Sequence, residues 1–173
     1  MLELINISLK WNSPKEKPFI KNLNLKINNG NILCVFGKSG VGKSSLINVI
    51  AGTTDDNLSF EGEIILNGKI LNNIPIEKRK IGLLLQDGTL FPHLTVEQNI
   101  YFGMNRKLKS KEKLFLIDEN LKKANMEGFQ NRYPHTLSGG QKARIACLRA
   151  VMSEPELLLL DEPFSSCLLY TSD

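Results

Sequence analysis

Hydrophobic and polar residues alternate along three stretches of the chain. The alternation runs through LELINISL at residues 2–9, LNLKI at residues 23–27 and EGEIILNG at residues 61–68. A period of two is typical of strands that bury one face, and the Asn-Gly pairs at residues 29–30 and 67–68 indicate hairpin turns. The sequence therefore predicts a small antiparallel sheet in its first part.

Three shorter runs are apolar almost without interruption. They are NILCVF at residues 31–36, IGLLL at residues 81–85 and LLLL at residues 157–160. Such runs are typical of parallel strands that are covered on both faces. Because helical segments lie between them, we predict an α/β fold with a parallel core beside the antiparallel layer.

Four helices are predicted from periodicity and from their ends. SLINVIAG at residues 45–52 ends at Gly52, and Thr95 with Gln98 forms a capping box before VEQNIYF. Ser138 caps a helix that runs to about residue 153. The charged helix that begins near residue 110 is predicted to bury one face, formed by Leu114, Ile117, Leu121 and Ala124.

The composition is that of an ordinary globular domain. Hydrophobic residues make up 42% and charged residues 23% of the 173 residues, and the apolar runs are too short to span a membrane. The net charge of +4 is too small to indicate nucleic-acid binding, so no nucleic-acid partner is expected. The apolar surroundings of Cys34 and Cys147 predict buried thiols.

GKSGVGKS at residues 37–44 matches the phosphate-binding loop pattern G-x-x-x-x-G-K-[ST] and lies between a predicted strand and a helix. Glycines let successive N–H groups face phosphate oxygens, Lys43 would reach the β- and γ-phosphates, and Ser44 would ligate Mg²⁺. One alternative is a flexible Gly/Ser loop. The other is a dinucleotide-binding turn, but such a turn would leave Lys43 without a role. The predicted nucleotide-binding residues are Gly37, Lys38, Ser39, Gly40, Val41, Gly42, Lys43, Ser44 and Ser45.

Two further motifs contain groups suited to phosphoryl chemistry. LLLLDE ends a buried strand in Asp161, a Mg²⁺ ligand, and Glu162, a general base for an attacking water. The alternative for this pair is a solvated strand end. LSGGQ at residues 137–141 places a Ser cap and two glycines at a helix start, which is a second anion site or an ordinary cap.

The phosphate loop, Gln86 after a strand, LSGGQ and LLLLDEP resemble, in order and spacing, the ATP-binding subunit of ABC transporters. The resemblance runs from the N-terminus to Ser165. It implies a P-loop NTPase core with a parallel sheet, an N-terminal antiparallel layer and a helical signature subdomain at about residues 92–153, within a domain of residues 1–166. LLLQDGTLFPHLTVEQNI is most similar to importer subunits of the molybdate, iron, polyamine and thiamine type.

The same resemblance implies partners and further site residues. Two subunits enclose two ATP molecules, so that each signature motif meets the ATP of the other subunit through Ser138, Gly139, Gly140 and Gln141. Gln86 would bind Mg²⁺ or the lytic water, and Trp11, with Phe19 as the rival candidate, would stack on adenine. The expected partners are transmembrane permease subunits and an identical or different second ATP-binding subunit, at the cytoplasmic face of the cell membrane.

The pattern of the family breaks after Ser166. A small residue, Leu and Asp should follow, and later a histidine that contacts the γ-phosphate; His93 and His135 both precede the acidic pair. CLLYTSD at residues 167–173 can be encoded by DNA that resembles a sequencing-library adapter. We therefore expect a non-native tail, a missing C-terminal part of the core, and a fragment that is inactive as it stands.

The sequence favours an ATP-hydrolysing subunit of a membrane importer. Two alternatives remain, a soluble ABC-type ATPase of translation or repair and a nucleotide-binding fragment without turnover. The sequence does not identify the transported substrate, because substrate specificity lies in other subunits of such importers.

Overall fold

The computed structural model describes residues 1–13, 17–85, 90–104 and 108–162. The chain forms two compact units, Met1–Lys80 and Ile81–Asp173. The predictions for Gln86, for the family's expected residues after Ser166 and for the tail at residues 167–173 lie outside the described residues.

The first unit contains the predicted antiparallel sheet. Its strands are β1 (Leu2–Trp11), β2 (Ile20–Ile27), β3 (Leu58–Leu66) and β4 (Lys69–Ile70), in the spatial order β2-β1-β3-β4. Leu4 of β1 lies opposite Leu25 on one side and Ile64 on the other. The prediction of an antiparallel layer is therefore confirmed.

The alternation in β1 shifts by one position at Asn6. Leu2 and Leu4 are buried before it and Ile7 and Leu9 after it, because both pairings of β1 have a β-bulge there. Asn6 has φ 52°, and a Cβ on the facing Gly62 would lie 2.5 Å from the Ile5 carbonyl oxygen. The bulge thus keeps the apolar residues of β1 on one face of the sheet.

Helix α1 (Lys43–Ala51) buries Leu46, Val49, Ile50 and Ala51. It ends at Gly52 in the left-handed region, and the Gly52 N–H donates to the Asn48 carbonyl oxygen at 2.8 Å. The predicted C-cap is therefore confirmed. A glycine is suited to this position because other L-residues adopt such a conformation only at a cost.

The predicted strand at residues 31–36 is wrong. No strand forms there; Ile32 is 93% and Phe36 is 89% exposed, and Cys34 is exposed instead of buried. Gly30 makes the expected turn with φ 77°, but the turn joins β2 to an irregular segment and closes no hairpin. A strand covered on both faces needs neighbours from the tertiary structure, and none is paired with this segment in the described part of the chain.

The described residues of the second unit form a parallel pair of strands and three α-helices. Strand β5 (Ile81–Leu84) pairs with β6 (Leu157–Leu160), with Ile81 opposite Leu157. The prediction that β6 is buried is only partly correct: its residues are half-buried and Leu160 is 39% exposed, because β5 is its one neighbour among the described residues. The helices are α2 (Val96–Gly103), α3 (Ser110–Lys123) and α4 (Gly139–Val151). They pack around a core formed by Val96, Ile100, Met104, Ile117, Leu121, Met126, Leu137 and Ile145.

The buried face of α3 differs from the prediction at one position. Ile117 and Leu121 are fully buried, but Leu114 is 39% exposed and the neighbouring Lys113 is buried. The Lys113 ammonium lies 4.4 Å from the centre of the Tyr101 ring. A lysine can bury its alkyl stem while its ammonium lies on an aromatic face. Lys113 can therefore occupy a buried position of α3 without being an apolar residue.

None of the helices within the described ranges is long and apolar enough to cross a membrane.

Candidate functional site

The loop at residues 37–42 passes directly into α1 in the first unit. Gly40 (φ 78°) and Gly42 (φ 100°) both lie in the left-handed region, which lets the chain curl ahead of the helix. The Lys43 ammonium donates to the carbonyl oxygens of Gly37 at 2.8 Å and Lys38 at 2.9 Å. Its positive charge is thereby held over the loop.

The amino end of α1 is open to an anion. Gly42 provides no side-chain cap, and the first turn of the helix has no acidic residue. The first N–H groups of a helix have no partner within it and carry partial positive charge. Ser44 is exposed and Ser45 half-buried in this turn. Backbone donors, one ammonium and a hydroxyl thus fit a phosphate chain with its Mg²⁺.

The two candidate aromatic residues form one pair beside this loop. The rings of Trp11 and Phe19 stack with their centroids 5.6 Å apart and an interplanar angle of 28°. Phe19 also packs on Gly42, where an added Cβ would lie 2.6 Å from its ring. Trp11 is 42% exposed, so its ring is available to a flat ligand. Phe19 therefore contacts both the loop, at Gly42, and the ring of Trp11.

The acidic pair lies in the second unit, at the end of β6. The Asp161 N–H donates to the Leu84 carbonyl oxygen at 2.9 Å and so extends the pairing of β5 with β6. Asp161 is half-buried, whereas Glu162 is exposed and has φ 45°. The break in direction after the strand leaves the second carboxylate accessible to solvent.

The LSGGQ segment forms the start of α4. The Ser138 hydroxyl accepts from the Gln141 N–H at 3.3 Å, and the Gln141 side chain accepts from the Ser138 N–H at 2.9 Å. This capping box uses the third helical N–H and leaves those of Gly139 and Gly140 outside the cap. A Cβ at Gly140 would meet nothing within 4 Å. The segment is thus an accessible helix end that can accept an anion, and its glutamine side chain serves the cap.

Sequence analysis missed a polar cluster around Asn99 in α2. Asn99 is fully buried; its side chain accepts from the Phe91 N–H at 2.8 Å and donates to the carbonyl oxygens of Phe91 and Leu94. Arg149 of α4 lies 5.1 Å above the Phe91 ring, and burial lowers the pKa of its guanidinium. The cluster links the segment before α2 to α4, the helix that begins with the LSGGQ motif. The sequence feature that could have revealed this cluster is the side-chain amide of Asn99, which occupies a core-facing position of an apolar helix.

The two histidines lie at exposed positions. His93 is 6.1 Å from Phe91 between ring centroids, and His135 stacks on Tyr133 at 5.8 Å just before α4.

Comparison with known proteins places the chain in a family. The family model described as ABC transporter matches residues 20–165. The chain belongs to the ABC transporter family. The predicted fold, a P-loop NTPase core with an antiparallel layer, parallel strands and a helical part, is confirmed by this match and by solved cassettes.

A curated ABC relative is the sulfate/thiosulfate import ATP-binding protein CysA of Synechocystis sp. It is 43% identical over 151 residues, which is 85% of this chain and 41% of the relative. The chain thus spans about two fifths of that protein's length.

Two solved structures of the ATP-binding cassette MJ0796 are also similar. One is a dimeric post-hydrolysis state bound to ADP and Pi, and the other a dimeric structure of the cassette. Each aligns with a TM-score of 0.81 and 30% identity, over 96% of this chain and 75% of the cassette chain. ABC ATPase domains bind ATP. The family match and the likeness to these cassettes identify this chain as such a domain.

Proposed function

We propose that this ABC chain is the ATP-binding and ATP-hydrolysing subunit of a membrane importer. The observation that carries the proposal is the open amino end of α1, with the Lys43 ammonium held over the loop at residues 37–42. The import-type name of the curated relative supports the transport role.

Phosphate binding is assigned to the loop and the first turn of α1. The Lys43 ammonium leaves the two carbonyl oxygens for the β- and γ-phosphates, whose negative charge it meets in a charge-assisted hydrogen bond. Ser44, Asp161 and Gln86 would hold Mg²⁺, which offsets phosphate charge when bound. The exposed ring of Trp11 supplies a flat surface for adenine, and Phe19 supports that ring from behind.

Glu162 is assigned as the general base. Its exposed carboxylate follows the strand that ends in Asp161, and it accepts a proton from the water that attacks the γ-phosphorus. The γ-phosphoryl group then passes to that water, and ADP leaves with the electron pair of the broken bond.

A second ATP-binding subunit would complete the site. Its Ser138, Gly139, Gly140 and Gln141 would face the γ-phosphate, and the N–H groups of Gly139 and Gly140, which the capping box leaves over, would donate to it. The dimeric state of the similar cassette structures supports this arrangement. Permease subunits would hold the dimer at the cytoplasmic face of the membrane, through the helical subdomain at about residues 92–153.

The domain limits belong to the proposal as well. We assign residues 1–166 to the ATP-binding domain and residues 167–173 to a translated adapter. Sequencing the native locus across codon 166 tests this assignment, because a stop codon directly after Asp173 would contradict it.

Titration calorimetry with Mg-ATP tests nucleotide binding. Lys43→Ala should weaken binding by about a hundredfold, the scale of a lost charge-assisted contact to phosphate, with an unchanged circular dichroism spectrum. Lys21→Ala removes the same charge from an exposed position of β2 and is the matched control. Equal affinity of Lys43→Ala and the wild type would refute the proposal. Binding without turnover in the native-length protein would instead identify a nucleotide-binding protein that does not hydrolyse ATP.

A further inference from the structure

Arg79 is a buried guanidinium with a specific set of acceptors. It is 7% exposed and follows the short 3₁₀ turn Ile76–Lys78 in the first unit. Its Nε donates to the Ile74 carbonyl oxygen at 2.8 Å, and its Nη1 donates to those of Ile50 at 2.9 Å and Val49 at 3.2 Å. All three acceptors are backbone carbonyl oxygens, and burial lowers the pKa of Arg79 while leaving it protonated.

Two of these acceptors belong to the last turn of α1. The last carbonyl groups of a helix have no partner within it and carry partial negative charge. Helix α1 has no basic residue of its own in that turn. Arg79 therefore supplies the cation that this helix end lacks, although it lies 29 residues after Ile50 in the chain.

The C-cap glycine fits the same contact. Gly52 has φ 87°, and a Cβ there would lie 2.7 Å from Cζ of Arg79 and 2.8 Å from its Nε. The absence of a side chain thus lets the guanidinium lie directly on the end of the helix. Packing and hydrogen bonding together hold this end in one place.

The other end of α1 begins with Lys43, next to the phosphate loop. A helix of this length is a stiff rod of about 13 Å, so a shift at one end moves the other. We propose that Arg79 is a positioning residue for nucleotide binding: it anchors the carboxyl end of α1 and thereby holds the phosphate loop in its binding geometry. This inference rests on the proposed binding of ATP at that loop.

Affinities for Mg-ATP and for Mg-tripolyphosphate, which lacks the base, test the inference. Arg79→Gln should weaken both ligands by about tenfold and to the same degree, the scale of one charge-assisted hydrogen bond. Arg79→Lys keeps the charge but loses the planar fork, so we expect an intermediate loss for both ligands. Lys78→Gln removes an exposed charge one residue earlier and should leave both affinities unchanged.

A purely structural role predicts a different result. Arg79→Gln would then melt at a lower temperature and bind both ligands as the wild type does, which would overturn the inference. A loss restricted to Mg-ATP would also overturn it, since the effect would act on the base and not on the phosphate loop. If Arg79→Gln does not fold, wild-type affinities of Arg79→Lys for both ligands decide against the inference. A wild-type chain that binds neither ligand would refute the proposed function, and the inference with it.

Discussion

Gly42→Ala tests the contact between the aromatic pair and the phosphate loop. The φ of 100° costs a residue with a Cβ about 1–2 kcal/mol. The new methyl would also lie 2.6 and 2.7 Å from two carbons of the Phe19 ring, which is itself stacked on Trp11. Overpacking of this kind costs about 1–3 kcal/mol, so the expected loss in free energy of unfolding is about 2–5 kcal/mol.

Gly40→Ala provides a matched control for this prediction. Gly40 has φ 78° in the same loop, but a Cβ there meets nothing within 4 Å. The variant should therefore lose only the backbone part, about 1–2 kcal/mol. The difference between the two variants isolates the steric contact with Phe19.

Urea denaturation of both variants, and of Gly42→Ala combined with Phe19→Leu, measures these terms. The leucine at position 19 is smaller and does not stack on Trp11. In its presence, Gly42→Ala should therefore lose only the backbone part of the free energy of unfolding and not the steric part. Equal losses for Gly42→Ala and Gly40→Ala would show that Phe19 does not press on the loop. No recovery in the double variant would lead to the same conclusion.

Further outcomes are expected at three sites. Glu162→Gln in the native-length protein should keep Mg-ATP binding and lower steady-state hydrolysis by about a hundredfold, as for a lost general base, and unchanged turnover would exclude that role. Trp11→Ala should weaken Mg-ATP by about tenfold and leave Mg-tripolyphosphate unaffected in calorimetry, because stacking on a base is worth about 1–3 kcal/mol. Asn99→Leu should lower the free energy of unfolding by about 3 kcal/mol in urea, because it leaves buried backbone groups without partners, whereas Asn73→Leu at an exposed position should change it little.

Local features of the chain were predictable from the sequence alone. The capping box at Thr95, the N-cap at Ser138 and the C-cap at Gly52 formed as expected. Each depends on residues a few positions apart, so sequence spacing specifies the hydrogen bonds directly. The order of the nucleotide motifs indicated the family for the same reason, since each motif is one continuous segment.

Features that join distant segments were decided by the tertiary structure. The apolar run at residues 31–36 had the composition of a buried strand but lies exposed, because strand formation depends on partners that no local pattern encodes. Lys113 replaced Leu114 in the buried face of α3 because the Tyr101 ring of another helix received its ammonium. The contact of Phe19 with Gly42 and the anchoring of α1 by Arg79 are also long-range. The sequence alone therefore predicted which groups would meet a nucleotide, and the packing of remote segments determined how those groups are held.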